Sequence, residues 1–216
     1  MLYYEATKKQ IETWLDIVNE EFSTLTNFNP INHIKTRIKT PESIIGKLKK
    51  KNLQIRYENI FKLNDIVGAR IVCDFVDNVY EIVNKLQSNS NINIIEEKDY
   101  LKNPKESGYR GYHIIVQVPI SIADVSKDIN AEIQIRTTAM DFWATSEHKL
   151  NYKSKNEDNG HKEYWKDAAN KVWDLDIYMN DLYRNEAIGQ EKSKFPIGLI
   201  NFNTIKRITS TLALEP

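Results

Sequence analysis

Residues Ala131-Glu132-Ile133-Gln134-Ile135-Arg136-Thr137 alternate strictly between apolar and polar side chains. In an extended strand, successive side chains point to opposite faces. Ile133 and Ile135 therefore enter a core, while Glu132, Gln134 and Arg136 line one polar face. A chain with such a strand must build a sheet covered on one side only. By itself this pattern fits a solvated strand face as well as a functional one.

Helices are available for the covered side. Ile11, Trp14, Leu15, Val18, Phe22 and Leu25 recur at helical spacing, and Asn27-Phe28-Asn29-Pro30 then breaks the pattern. A second helix opens at Thr40-Pro41, where Thr suits the N-cap and Pro the first turn. Further helical patterns run from Asp77 to Leu86, from Met140 to Leu150 and from Trp165 to Leu182. Between them, His33–Lys39 reads as an extended basic segment. Ile66–Phe75, Ile92–Glu97, Tyr112–Ile120 and Ala131–Thr137 read as strands. Only seven Gly and six Pro occur in 216 residues, which argues against a turn-rich all-β chain. The expected fold class is α+β, a mixed β-sheet flanked by helices. Residues 1–188 are expected to form a single domain, with a core over about 30–155 and a C-terminal helix over about 161–186. Ser154–Gly160 reads as a polar connection, and 189–216 stays unassigned.

Thirty basic side chains balance thirty acidic ones. Bulk charge therefore does not hold this chain to nucleic acid, although a locally basic cleft is compatible with it. A single Cys excludes a disulfide framework or a Cys-based zinc cluster, and Cys73 reads as core. No apolar run is long enough to span a membrane, and the N-terminal residues match no leader pattern, so the expected location is the cytoplasm. The four histidines form no H-x-x-x-H pair and no His-Asp dipeptide, and neither a P-loop nor a G-x-G-x-x-G fingerprint is present.

Four clusters carry the chemistry. Glu132, Gln134 and Arg136 share a strand face. The loop Asp99–Arg110 brings three cations and two tyrosines that read as exposed, Tyr100 and Tyr109, with His113 just beyond. Cations suit phosphates and a Tyr ring can stack on a base, while a solvated loop explains the same residues. Arg37, Lys39, Ser43 and Lys47 make a candidate polyphosphate cradle, Ser43 lying in a first helical turn. An ordinary basic helix face is the alternative. Asp65 and Arg70, five apart, fall on opposite faces of a regular strand. Either Asp65 precedes the strand, or Gly68 marks a bulge. An Asp at a strand edge suits a hard cation, and also suits a cap.

In this order the clusters resemble the synthetase domain of the RelA/SpoT family, and the chain is similar to the single-domain small alarmone synthetases. The resemblance rests on Arg37-Ile38-Lys39-Thr40-Pro41-Glu42-Ser43, Asp65-Ile66-Val67-Gly68-Ala69-Arg70, the Asp99–Lys105 loop, Gly108–His113, Glu132–Thr137 and the run from Ala139 to Tyr152. It implies transfer of the β,γ-pyrophosphate of ATP to the 3′-hydroxyl of GDP or GTP, by synthesis alone. By motif position, Asp65 and Glu132 resemble the Mg²⁺ carboxylates, and Glu132 also the base. Arg37 and Arg70 resemble the adenine sandwich; Lys39, Ser43 and Lys47 resemble the ATP-phosphate cradle. Tyr109 resembles the guanine platform, Lys105 and His113 resemble acceptor-phosphate contacts, and Gln134 joins the GDP/GTP set. A homotetramer built through C-terminal helices is implied, and a nucleic-acid partner is not expected. Toxin-like relatives that pyrophosphorylate tRNA 3′ ends or adenosine nucleotides are the alternative, and an idle nucleotide- or RNA-binding module is another.

Overall fold

The structure, a computed structural model, describes residues 1–26, 28–153 and 162–191. Five strands form one sheet in the order β1-β2-β5-β4-β3. They are β1 (Ile31–Ile38), β2 (Val67–Cys73), β3 (Asn93–Asp99), β4 (Tyr112–Ile122) and β5 (Val125–Thr137). The central β2–β5 pair is parallel and the other three pairs are antiparallel, so the sheet is mixed as expected. The helices are α1 (Leu2–Leu25), α2 (Pro41–Lys50), α3 (Tyr57–Ile60), α4 (Val76–Gln87), α5 (Thr138–Lys153) and α6 (Lys162–Glu191).

One sheet face is apolar. Ala69, Ile71, Ile114, Val116, Ile133 and Ile135 are buried in one core with Ile11, Leu15 and Val18 of α1 and Val79, Ile82 and Val83 of α4. The two helices lie together, joined by the Lys85–Glu21 ion pair at 2.6 Å. α1 starts earlier than the apolar pattern suggested. Tyr4 and Thr7 continue its buried stripe, and the polar Thr7 is accommodated by donating its hydroxyl to the Tyr3 carbonyl at 2.8 Å. β5 also starts early, because Ile122 and Val125 pair across a two-residue turn. That turn puts Ala123 at φ 51°, a conformation that Gly or Asn ordinarily marks.

Met1–Asp181 make one compact unit and Leu182–Pro216 a second. The Ser154–Gly160 connection and residues 192–216 of the expected tail lie outside the described residues.

Candidate active site

The second sheet face is polar, and cross-strand register arranges it in rows. One row runs Lys35–Arg70–Gln134–His113–Lys98 across all five strands. The row beside it runs Arg37–Gly68–Glu132–Ile115. Five separate stretches of sequence thus meet on one surface. Gly68 is no bulge, because around it β2 keeps regular register with both neighbours, the irregularity with β1 falling at Ile31/His33; Asp65 instead precedes the strand. The glycine leaves bare floor between Arg37 and Glu132, with Arg37 Cγ and Nε 3.9 Å from where a Cβ would stand. Arg37 is close enough to Arg70 to help lower it from the ordinary arginine value, after burial and the Arg136 charge.

Asp65 gathers the first cluster. Lys39, just beyond β1, places Nζ 2.6 Å from Asp65 Oδ2, and Lys47 of α2 places its Nζ 3.0 Å from the same oxygen. Burial pushes the Asp65 carboxyl up, but these two ammonium groups outweigh it and hold the group below its usual range. Asp65 Oδ1 is buried and makes no hydrogen bond. Ser43 stands at the start of α2, where its N–H donates to the Thr40 hydroxyl at 3.4 Å and its own hydroxyl accepts from Thr40 at 3.0 Å.

The Asp99–Arg110 loop folds inward rather than outward. Gly108 takes φ +86° and packs on α6, so that the chain turns Tyr109 under the loop. Tyr109 is only 9% exposed, contrary to the reading of its loop as solvent-facing. Lys105 Nζ lies 4.5 Å from its ring centre and the Arg136 guanidinium 4.9 Å. Tyr100 stands edge-on to both Tyr109 and His113, with centroids 5.9 and 5.1 Å apart. Lys105 sits in the same cleft as Glu132, which pulls its pKa up, while burial wins and lowers it.

Glu132 is held at both oxygens. His113 Nδ1 lies 2.9 Å from Oε1, and Gln134 Nε2 donates to Oε2 at 2.6 Å. Burial would raise the Glu132 carboxyl, and Asp65 nearby adds to that, but the hydrogen bonds from His113 and Gln134 hold it below the usual range. Burial also lowers His113 from the ordinary histidine value. A neutral imidazole facing a carboxylate carries its proton on Nδ1, so Nε2 accepts the Tyr109 hydroxyl proton at 2.5 Å.

The structure therefore brings Arg37, Lys39, Lys47, Asp65, Arg70, Lys105, Tyr109, His113, Glu132 and Gln134 to one cleft, with Ser43 at its α2 rim. Sequence reading put Arg136 on the polar face of its strand but assigned it no role, and gave none to Asp141. Arg136 NH1 donates to Asp141 Oδ1 at 3.2 Å, and Arg70 NH1 meets the same oxygen at 3.0 Å. The continuing alternation past Gln134 was the available signal for Arg136. For Asp141 it was an acid in the first turn of the following helix, where a carboxylate is favoured.

A divalent metal fits this donor set. Among the described residues no three His, Cys, Asp or Glu side chains cluster as a closed cage. Mg²⁺ does not require one: it takes one or two carboxylates and fills its octahedron with phosphate oxygens and water. The unpartnered Asp65 Oδ1, in electrostatic contact with Glu132, is such a donor.

Residues 36–157 match the family described as "Region found in RelA / SpoT proteins". The chain is similar to the GTP pyrophosphokinase YwaC of Bacillus subtilis, 39% identical over 158 residues that cover 73% of this chain and 75% of the relative. Its fold matches the crystal structure of small alarmone synthetase 1 from Bacillus subtilis bound to its product pppGpp. That match has a TM-score of 0.78 at 32% identity and covers 85% of this chain and 94% of the other. The same synthetase bound to AMPCPP matches with a TM-score of 0.70 at 28% identity, over 85% of this chain and 93% of the other.

Proposed function

The chain belongs to the RelA/SpoT family, and from that premise we propose that it is a GTP pyrophosphokinase. It transfers the β,γ-pyrophosphate of ATP to the 3′-hydroxyl of GDP or GTP, giving ppGpp or pppGpp and AMP. The observation that carries this reading is the doubly hydrogen-bonded, ionised Glu132 facing a cleft that also holds Asp65 and the cations Lys39, Lys47 and Lys105.

The cleft divides between the two substrates. Arg37, which faces the bare Gly68, and Arg70 in the neighbouring row hold adenine, and Lys39, Ser43 and Lys47 receive the ATP phosphates. Tyr109 offers its ring to guanine, while Lys105, His113 and Gln134 serve the acceptor. Glu132 takes the proton of the 3′-hydroxyl as that oxygen bonds to the β-phosphorus. The bond between the β-phosphorus and the bridging oxygen to the α-phosphate breaks, and AMP leaves with that oxygen. Asp65 and Glu132 would hold Mg²⁺, which would supply neutralisation of phosphate charge and orientation of the transferring group. The ammonium groups of Lys39 and Lys47 answer the remaining charge.

Two wider features complete the proposal. Leu175 and Tyr178 of α6 are 55% and 63% exposed, a surface that suits assembly into a homotetramer through the C-terminal helices. Light scattering at micromolar concentration should give a multiple of the 25.3 kDa chain, and a 25.3 kDa particle would refute assembly. The enzyme works in the cytoplasm, where its nucleotide substrates are; no described helix is long and apolar enough to cross a membrane.

Chromatography of products made from ATP, Mg²⁺ and either GDP or GTP tests the activity. Guanosine tetra- or pentaphosphate and AMP are expected in equal amounts. Labelling of deacylated tRNA by γ-labelled ATP, with no guanosine product, would overturn the assignment.

A further inference from the structure

Arg136 is 5% exposed and sends out three separate donors. Its Nε donates to the Tyr109 hydroxyl at 3.1 Å, its NH2 to Gln134 Oε1 at 2.7 Å, and its NH1 to Asp141 Oδ1 at 3.2 Å. The first two start chains that end on the same carboxylate. Through Tyr109 the chain runs to His113 Nε2 at 2.5 Å, and from His113 Nδ1 to Glu132 Oε1 at 2.9 Å. Through Gln134 it runs from Nε2 to Glu132 Oε2 at 2.6 Å. Each bond has one consistent direction. Arginine only donates, the phenol accepts and then donates, the amide accepts at oxygen and donates at nitrogen, and the carboxylate only accepts.

We infer that Arg136 is a positioning residue for the pyrophosphoryl transfer, acting through Tyr109–His113 on one side and Gln134 on the other to fix both oxygens of Glu132. Lysine at this position has no planar fork with which to start both chains. Asp141 anchors the guanidinium from behind and, through its bond to Arg70, ties the orientation of the base to the ATP side of the cleft. The two chains also fix the tautomer of His113, since a phenol bound at Nε2 leaves the proton on Nδ1 facing Glu132. Tyr109 thereby serves twice: its ring lies against Lys105 on the proposed acceptor side, while its hydroxyl belongs to the base-holding network.

This inference rests on Glu132 as the base, and the tests separate the two. Tyr109→Phe keeps the ring and cuts one chain; Arg136→Gln cuts both. Tyr109→Phe should lower kcat by roughly tenfold, a fraction of the 10²–10⁴ that a placed base contributes, with the GDP KM changed less than about twofold. Arg136→Gln should do the same more strongly, and Arg136→Lys should not restore kcat. Nitrogen-15 NMR of histidine-labelled protein supplies a readout independent of turnover: His113 should be the Nδ1–H tautomer in the parent, and in Tyr109→Phe its Nε2 resonance should shift as the phenol's hydrogen bond is lost. Should Arg136→Gln fail to fold, Tyr109→Phe decides alone. If Glu132→Gln keeps turnover, the base assignment falls. If Glu132→Gln is inert while Tyr109→Phe leaves kcat and the His113 Nε2 resonance unmoved, the positioning role falls and the base stands.

Discussion

Lys105 Nζ rests 4.5 Å from the centre of the Tyr109 ring, on a residue that otherwise lies buried beneath its loop. The ammonium lies over the ring, and in the proposed reading Lys105 answers acceptor phosphate while the ring serves the base. Base stacking is worth about 1–3 kcal/mol by alanine substitution. Tyr109→Ala should therefore lower kcat/KM for GDP by tenfold or more, with a higher GDP KM as its distinguishing mark. Steady-state kinetics with varied GDP at saturating ATP makes the measurement.

The two carboxylates give the second expectation. Asp65→Asn and Glu132→Gln should each reduce turnover by about a hundredfold or more, in line with loss of a placed acid–base or metal-binding group. Asp65→Asn should also raise the Mg²⁺ concentration needed for half-maximal rate, whereas Glu132→Gln should leave thermal unfolding within a few degrees of the parent. Mg²⁺ titrations of initial rate and thermal scans check both.

Asp176 on α6 supplies a pH dependence of stability. It is buried, accepts the Thr137 hydroxyl at 2.7 Å, and is pushed up to about 6 by that burial. The folded protein thus keeps a proton that the unfolded chain releases near pH 4. The stabilisation is complete below that value and disappears as pH rises through about 6. Asp176→Asn, neutral throughout, should flatten this slope and raise stability at pH 8 by about 2–3 kcal/mol. Urea unfolding at pH 5 and pH 8 reads the difference.

At Gly108 a methyl group would stand 2.6 Å from the Ala169 side chain, on a backbone at φ +86°. Strain and overlap together should cost Gly108→Ala about 2 kcal/mol or more. Because the next residue is Tyr109, the GDP KM should rise along with the loss of thermal stability. Gly68→Ala is the comparison: its Cβ would meet neighbours only at 3.9–4.0 Å, so its fold should persist.

The polar face was legible in sequence wherever one strand carried it. Glu132, Gln134 and Arg136 follow from alternation alone, whereas the spacing of Asp65 and Arg70 left two placements, of which the structure takes the one before the strand. What alternation cannot reveal is register between strands, and register is what puts Lys35, Arg70, Gln134, His113 and Lys98 in one row. The burial of Tyr109 was hidden for a related reason. A loop rich in Lys and Gly looks solvated until a helix some sixty residues later packs on Gly108. The early start of β5 went unread because Ala123 sits in a turn that its residue type does not advertise.

The place of β5 in the middle of the sheet also sets when the enzyme can begin to work. As the chain leaves the ribosome, β1 and β2 can pair, and β3 and β4 can pair, yet these remain two separate pieces. Arg37 and Arg70 belong to the first and His113 to the second, while Glu132 and Arg136 arrive only with the strand that joins them. A nascent or half-folded chain can at most grasp a nucleotide weakly. It cannot spend ATP, and no alarmone signal starts before the last strand is home.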